Sequence, residues 1–213
     1  MKEIYLYVEG GGGKDGKARL REAFSRFLGE LTNEARRRGI IWRIVLCGSR
    51  TQTYEDFLLG MRTHPDAYNV LLVDAERPVI ATTVREHLEA APPEGDGWKL
   101  GVASEDRLHL MAQMMESWFI ADPEALASVY GKGFAKGAIP KTRNVESIAK
   151  ADVMDALSRA TKGTQKGEYH KMRHSPQILE RLDAARVEDR APHCAVLLHE
   201  LRVQLGLKVK HEA

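Results

Sequence analysis

Acidic side chains stand directly after two mainly apolar runs of this sequence. Glu9 follows residues 4–8, and Asp74 and Glu76 follow residues 69–73. If the two runs are neighbouring parallel strands, their carboxyl ends lie about 5 Å apart. Three carboxylates at that spacing repel one another unless a divalent cation lies between them, and oxygen ligands suit Mg²⁺ or Mn²⁺. The spacing predicts a metal site formed by Glu9, Asp74 and Glu76; the alternative is that Glu9 and Asp74 only cap the helices that follow them.

A run of glycines at 10–13 follows Glu9. A backbone without side chains lets a phosphodiester approach, and its N–H groups can face the phosphate oxygens. The run also matches part of a nucleotide-binding P-loop, because Gly11 is followed, after four residues, by a second glycine and Lys17. The next residue, Ala18, has no hydroxyl to bind Mg²⁺, and Glu9 would repel a phosphate. A degenerate P-loop nucleotide-binding protein is therefore kept as an alternative function.

The segment 132–174 is strongly basic. It holds ten Lys and Arg residues against four Asp and Glu residues, which favours binding to a nucleic-acid backbone. Together with the glycines it supplies the predicted phosphate contacts, which are Gly10, Gly11, Gly12, Lys166, Lys171, Arg173 and His174. The alternative is a solvated loop whose cations pair with Glu168. His170 and His174 would share a helix face and could bind a metal, but no helical pattern is evident there.

Strand-like and helix-like segments alternate along the first part of the chain, which predicts an α/β fold. The run 69–73 is short and uniformly apolar, as expected for a strand buried on both faces of a parallel sheet. The predicted strands are 4–8, 40–46, 69–73 and 107–113, and the predicted helices are 17–37, 54–62, 82–91, 123–130, 177–185 and 192–205. We expect a mostly parallel central sheet of about four strands flanked by helices in a core of residues 1–130. Residues 131–213 are expected to form a basic loop and a helical C-terminal extension packed on that core.

The composition is that of an ordinary globular protein. The chain has 213 residues, 43% of them hydrophobic, and its 32 basic side chains nearly balance 30 acidic ones, which argues against a disordered or purely electrostatic binder. No apolar run approaches the roughly 18 residues of a membrane span, and no secretion signal is evident, so a cytoplasmic location is expected. Cys47 and Cys194 are far apart, which indicates structural thiols rather than a zinc site.

Five segments carry a resemblance to known families. Val8–Gly10 and Val73–Glu76 resemble the two signatures of the toprim domain, which occurs in topoisomerases, primases and nucleases of the overcoming-lysogenization-defect type. Residues 115–122 resemble the Glu-x-Trp segment of RloB-like proteins. Together with residues 166–171 and 174–176, they are similar to a bacterial family known only as domain of unknown function 4276, with a toprim-like core. The resemblance covers nearly the whole chain.

This resemblance implies a toprim-like Rossmannoid core and Mg²⁺- or Mn²⁺-dependent phosphodiester chemistry on DNA or RNA. Glu9 would act as general acid/base or metal ligand and Asp74 and Glu76 as metal ligands, although Glu76 stands where the toprim pattern has aspartate. Glu116 joins the catalytic set. No tyrosine-bearing breakage domain is recognisable, which argues against a topoisomerase. Relatives accompany ATPases in phage-defence loci, so an effector nuclease with a partner ATPase is implied; a non-catalytic interaction module of an ATPase complex is the alternative.

Overall fold

A four-stranded parallel sheet forms the centre of the molecule. The computed structural model describes residues 2–207. The strands lie in the order β2-β1-β3-β4 and are β1 (Glu3–Glu9), β2 (Ile41–Gly48), β3 (Tyr68–Asp74) and β4 (Leu108–Met111). Every pairing between these strands is parallel, so their carboxyl ends meet at one edge, where ligands bind in folds of this class. The predicted α/β fold with a sheet of about four strands is confirmed.

Helices cover both faces of the sheet. In chain order they are α1 (Gly13–Phe27), α2 (Gly29–Arg37), α3 (Arg50–Thr63), α4 (Val84–Glu89), α5 (Glu116–Ala121), α6 (Pro123–Tyr130), α7 (Lys150–Thr161), α8 (Lys171–Leu179), α9 (Ala184–Arg190) and α10 (Pro192–Gln204). Successive side chains of a strand point to opposite faces. Leu6 of β1 accordingly packs with α1, α2 and the C-terminal helices, and Tyr7 packs on the other face with α3 and α4.

The C-terminal third contains more helix than the sequence pattern predicts. The segment expected to be a basic loop includes α7, whose buried residues are Val153, Ala156, Leu157, Ala160 and Thr161. These residues recur at helical spacing, but most are small, so the numerous lysines and arginines obscured the pattern.

The helix predicted over 177–185 is wrong in its bounds. Helix α8 already begins at Lys171, so residues 170–174 do lie at a helix start, and Pro176 is accommodated inside the helix. A new helix, α9, then begins after Asp183, whose side chain accepts a hydrogen bond from the backbone N–H of Ala185. The predicted helix 17–37 is likewise divided in two, at Leu28 between α1 and α2.

The side chains of the C-terminal helices reach the sheet itself. Leu197 and Leu201 of α10 belong to the same buried cluster as Ile4 and Leu6 of β1. Within residues 2–207, no helix combines the length and the apolar character that crossing a membrane requires.

Candidate metal centre

Three carboxylates converge at the carboxyl edge of the sheet. Glu9 ends β1, Asp74 ends the neighbouring strand β3, and Glu76 lies two residues farther along the chain. One oxygen from each of the three lies within 4.8 Å of the other two. Oxygens bound to one Mg²⁺ lie up to about 4.2 Å apart, twice the usual metal–oxygen distance. Small side-chain rotations would therefore let all three residues bind one divalent cation.

Glu9 is held by two hydrogen bonds to the same oxygen. Its Oε2 accepts from Arg50 Nη1 and from the backbone N–H of Asp74, each at 3.2 Å. Burial raises the pKa of Glu9, and the Arg50 guanidinium offsets part of that rise. These bonds tie Glu9 to β3 and α3, and neither of them caps the following helix α1.

Asp74 combines a capping role with a charged environment. Its Oδ1 accepts a 2.8 Å hydrogen bond from the backbone N–H of Met115, immediately before α5, while Oδ2 lies 3.7 Å from Lys171 Nζ. Burial raises the pKa of Asp74 to about 7, Lys171 opposes this rise, and the carboxylates of Glu9 and Glu116 add to it. Capping therefore engages one oxygen of Asp74, and the other faces the charges of the site.

Glu76 is the most exposed of the three acids. It has a positive φ of 66°, a conformation that costs energy for any residue other than glycine. Its side chain forms an ion pair with Lys150, at the beginning of α7. The C-terminal part of the chain thus contributes a cation to the carboxylate cluster.

Glu116 is completely buried beside this cluster. Its Oε1 accepts a 2.8 Å hydrogen bond from the Tyr169 hydroxyl and lies 3.6 Å from Lys171 Nζ. The Tyr169 hydroxyl also contacts Ser175 Oγ at 2.7 Å. Burial and the Glu116 charge raise the pKa of Tyr169, so Tyr169 remains a hydrogen-bond donor. The Oε2 atom of Glu116 has no hydrogen-bond partner among the described residues. Lys171 therefore bridges Glu116 and Asp74.

The predicted basic phosphate contacts do not gather at one place. Lys171 lies at the carboxylates, but Lys166 donates a 2.7 Å hydrogen bond to Gln177, and Arg173 is exposed. His174 is buried: its Nδ1 accepts from the backbone N–H of His170 and lies 2.8 Å from the Tyr130 hydroxyl. Through these bonds, Nδ1 of His174 stabilises the start of α8. Because of the same bonds, Nδ1 of His174 is not available to bind the metal considered for His170 and His174.

Close packing leaves little room for side chains at the first three glycines after Glu9, and Gly11 is the one that lies against backbone atoms. A Cβ at Gly10 would lie 2.9 Å from Leu20, and one at Gly11 would lie 2.8 Å from the Cα of Lys17, both on α1. A Cβ at Gly12 would lie 2.6 Å from Cε of Met172, the end of an exposed and flexible side chain that can move. Lys17 Nζ donates a 2.7 Å hydrogen bond to the carbonyl of Cys47. The loop is therefore pressed onto α1, and the lysine of the P-loop-like pattern is bonded to β2.

Arg50 is a site residue that the sequence pattern did not identify. The Ser49 side chain accepts from the backbone N–H of Gln52 and caps α3, which places Arg50 directly beyond the end of β2. Arg50 bonds Glu9 and the Asp74 carbonyl, and Asp96 holds it through two bonds of 2.9 and 2.8 Å. Its guanidinium also lies 5.0 Å from the ring centroid of Trp98. The position of Arg50 after a parallel strand was a usable signal, whereas nothing in the sequence indicated Asp96.

A cleft of about 770 Å³ opens at this edge of the sheet. Glu9, Asp74, Lys171 and the glycine loop line it, and side chains of α1, α3 and α8, together with Met115, form its other walls. A volume of this size lies within the usual range for small-molecule sites. The cleft thus combines carboxylates that can hold a cation with a lysine that can contact an anion.

Searches of the curated proteins and of the solved structures find no match to this chain. A family model described as a domain of unknown function, DUF4276, matches residues 8–202. The match includes Glu9, Asp74, Glu76 and Glu116 and extends through most of α10. The chain therefore belongs to the DUF4276 family.

Proposed function

We propose that this protein is a Mg²⁺- or Mn²⁺-dependent phosphodiesterase that cleaves DNA or RNA. The observation that carries this proposal is the convergence of Glu9, Asp74 and Glu76 within 4.8 Å at the end of two adjacent parallel strands. Burial raises the pKa of both Glu9 and Asp74, which indicates that their negative charges lack sufficient compensation without a cation.

The residues present fit a hard divalent cation. Glu9, Asp74 and Glu76 offer only carboxylate oxygens, the ligand type that Mg²⁺ and Mn²⁺ prefer. When bound there, such a cation would supply positive charge against phosphoryl oxygens and lower the pKa of water. Arg50 holds Glu9 in place, and Lys171 presents an ammonium group to the cleft for a substrate phosphate.

We further propose a relationship to toprim domains. An acid after β1 and an acid pair after the adjacent β3 support it, because this is the order in which the toprim signatures occur. The control of such an effector by a partner ATPase in phage defence belongs to the same proposal. A non-catalytic interaction module would keep the carboxylates and yet cleave nothing, so an activity measurement separates the two functions.

The test is cleavage of plasmid DNA and total RNA by the purified protein with Mg²⁺ or Mn²⁺. We expect cleavage that EDTA abolishes and that Glu9→Gln lowers about a hundredfold, because several kcal/mol of charge stabilisation depend on the cation. Glu55→Gln, which alters an exposed acid of α3, should retain activity. Metal-independent cleavage, or no cleavage even with a partner ATPase encoded beside it, would refute the proposal.

A second prediction concerns Lys150, the ion-pair partner of Glu76. Lys150→Gln should tighten Mn²⁺ binding up to about fivefold. In the parent protein, Glu76 must break its ion pair with Lys150 before it can bind the metal, and an exposed ion pair contributes about 1 kcal/mol or less. Titration calorimetry at constant pH measures the affinity. Lys162→Gln, at the other end of α7, is the control and should leave it unchanged. Weaker Mn²⁺ binding in Lys150→Gln would show that Lys150 supports the site.

A further inference from the structure

The two ends of the cleft differ in chemistry. At one end, helix α8 presents Lys171 and Met172, and Met115 precedes α5. At the other end, α3 presents Gln52 and Asp56, one helical turn apart. Asp56 is a carboxylate outside the metal centre, and the proposed cleavage chemistry gives it no task. Its position in the wall of the cleft requires a different explanation.

Asp56 is held in a defined position close to the metal centre. Gln52 Nε2 donates a 2.9 Å hydrogen bond to Asp56 Oδ1. Asp56 lines the cleft together with Cys47. The next residue, Gly48, pairs with Glu9 across the β1–β2 ladder. Asp56 therefore lines the same cleft as Glu9 and Asp74 of the metal centre.

The charge of Asp56 determines which part of a nucleotide fits this end. A carboxylate here repels any phosphate other than the one at the metal centre. It can accept hydrogen bonds at about four positions, and Gln52 occupies one of them. Guanine is the base that presents two adjacent N–H donors, N1–H and N2–H, to a single carboxylate. Adenine, cytosine and uracil each lack this adjacent pair. A cleft of about 770 Å³ is within the size range of small-molecule sites. N1–H and N2–H lie on the Watson–Crick edge of guanine, so a base that donates both to Asp56 must be unpaired.

We propose that Asp56, held by Gln52, binds the guanine base of an unpaired nucleotide whose phosphate lies at the metal centre. This inference rests on the proposed function and adds a substrate class to it: single-stranded or flipped-out nucleic acid with guanine beside the reacting phosphate. Lys17, whose Nζ donates a 2.7 Å hydrogen bond to the Cys47 carbonyl, also lines the cleft.

Binding of the four 5′-ribonucleoside monophosphates to the full chain tests this inference. We expect titration calorimetry with Mg²⁺ to show guanosine monophosphate binding at least tenfold more tightly than the adenosine, cytidine or uridine compounds. Asp56→Asn, which keeps the size of the side chain and turns one acceptor into a donor, should remove this preference. Glu55→Gln, a neighbouring exposed acid on α3, should keep it.

Mn²⁺ affinity and thermal unfolding of Asp56→Asn provide the folding control, and both should match the parent protein. Affinities within threefold of one another for the four nucleotides, no binding of any of them, or an unchanged guanine preference in Asp56→Asn would each overturn the inference. Mononucleotide binding requires no cleavage. Failure of this test therefore leaves metal-dependent cleavage unaffected, and failure of cleavage leaves this result interpretable.

Discussion

Asp74→Asn is expected to stabilise the metal-free protein at pH 8 by about 4 kcal/mol while it removes cleavage activity. Burial raises the pKa of Asp74 to about 7, compared with about 3.9 in an unfolded chain, and each pKa unit corresponds to about 1.36 kcal/mol. Between these two values the folded state binds a proton that the unfolded state has released. The stability of the parent protein therefore falls as pH rises from about 4 to 7. Asparagine does not titrate and avoids this loss.

Urea unfolding of both proteins in EDTA at pH 5 and pH 8 measures the effect. The gap in unfolding free energy should be larger at pH 8, and Mn²⁺ should raise the stability of the parent protein but not that of Asp74→Asn. The cleavage rate should fall about a thousandfold, because the cation loses a carboxylate ligand and the reaction loses several kcal/mol of charge stabilisation that the cation supplies. A parent protein that is more stable than Asp74→Asn at pH 8 without metal would contradict this account of the carboxylate.

Arg50→Met is expected to destabilise the protein by about 3 kcal/mol. The side chains of Arg50, Glu9 and Asp96 are only 16%, 16% and 13% exposed, and removing one partner of a buried ion pair leaves an uncompensated charge. Methionine retains most of the apolar contact area of the arginine chain. Because Arg50 lowers the pKa of Glu9, its loss raises that pKa further, so the destabilisation should grow as pH rises from 5 to 8.

Guanidinium chloride unfolding at the two pH values measures this prediction. Asp96→Asn in the Arg50→Met background should recover part of the lost stability, because without Arg50 the Asp96 carboxylate keeps only the ion pair with Arg77 at 3.9 Å. Arg26→Met is the matched control and should change stability little, since Arg26 and its partner Glu22 are 59% and 63% exposed. An effect of Arg50→Met no larger than that of Arg26→Met would show that Arg50 is not needed to position Glu9.

The parallel sheet could be predicted because its strands have a local signature. All seven residues of β3 are buried, so this strand reads as an apolar run with no polar alternation. The acids at 9 and 74 were informative for a related reason: they end apolar runs, and the ends of neighbouring parallel strands must meet. Helix α7 was missed since its buried face consists mainly of small residues among many charged ones.

The cations of the site could not be predicted in the same way. Arg50, Lys150 and Lys171 come from the starts of three helices far apart in the sequence, and each is one among many basic residues. Membership of the basic segment 132–174 did not indicate which residues reach the site. Helix α8 directs Lys171 toward the carboxylates but buries His174 against Tyr130. Side-chain direction depends on helix phase, which composition does not reveal.

By itself, the sequence determined the type of sheet and the position of three acids at its carboxyl edge, because burial periodicity and strand ends are local properties of the chain. Only the tertiary structure decided what surrounds those acids. Arg50, itself held by Asp96, positions Glu9, and Lys171 bridges Asp74 and Glu116. The glycines allow α1 and Met172 to pack closely against the loop. Apart from those between the glycines and α1, these contacts join residues that are dozens of positions apart, so they exist only once the helices have packed on the sheet.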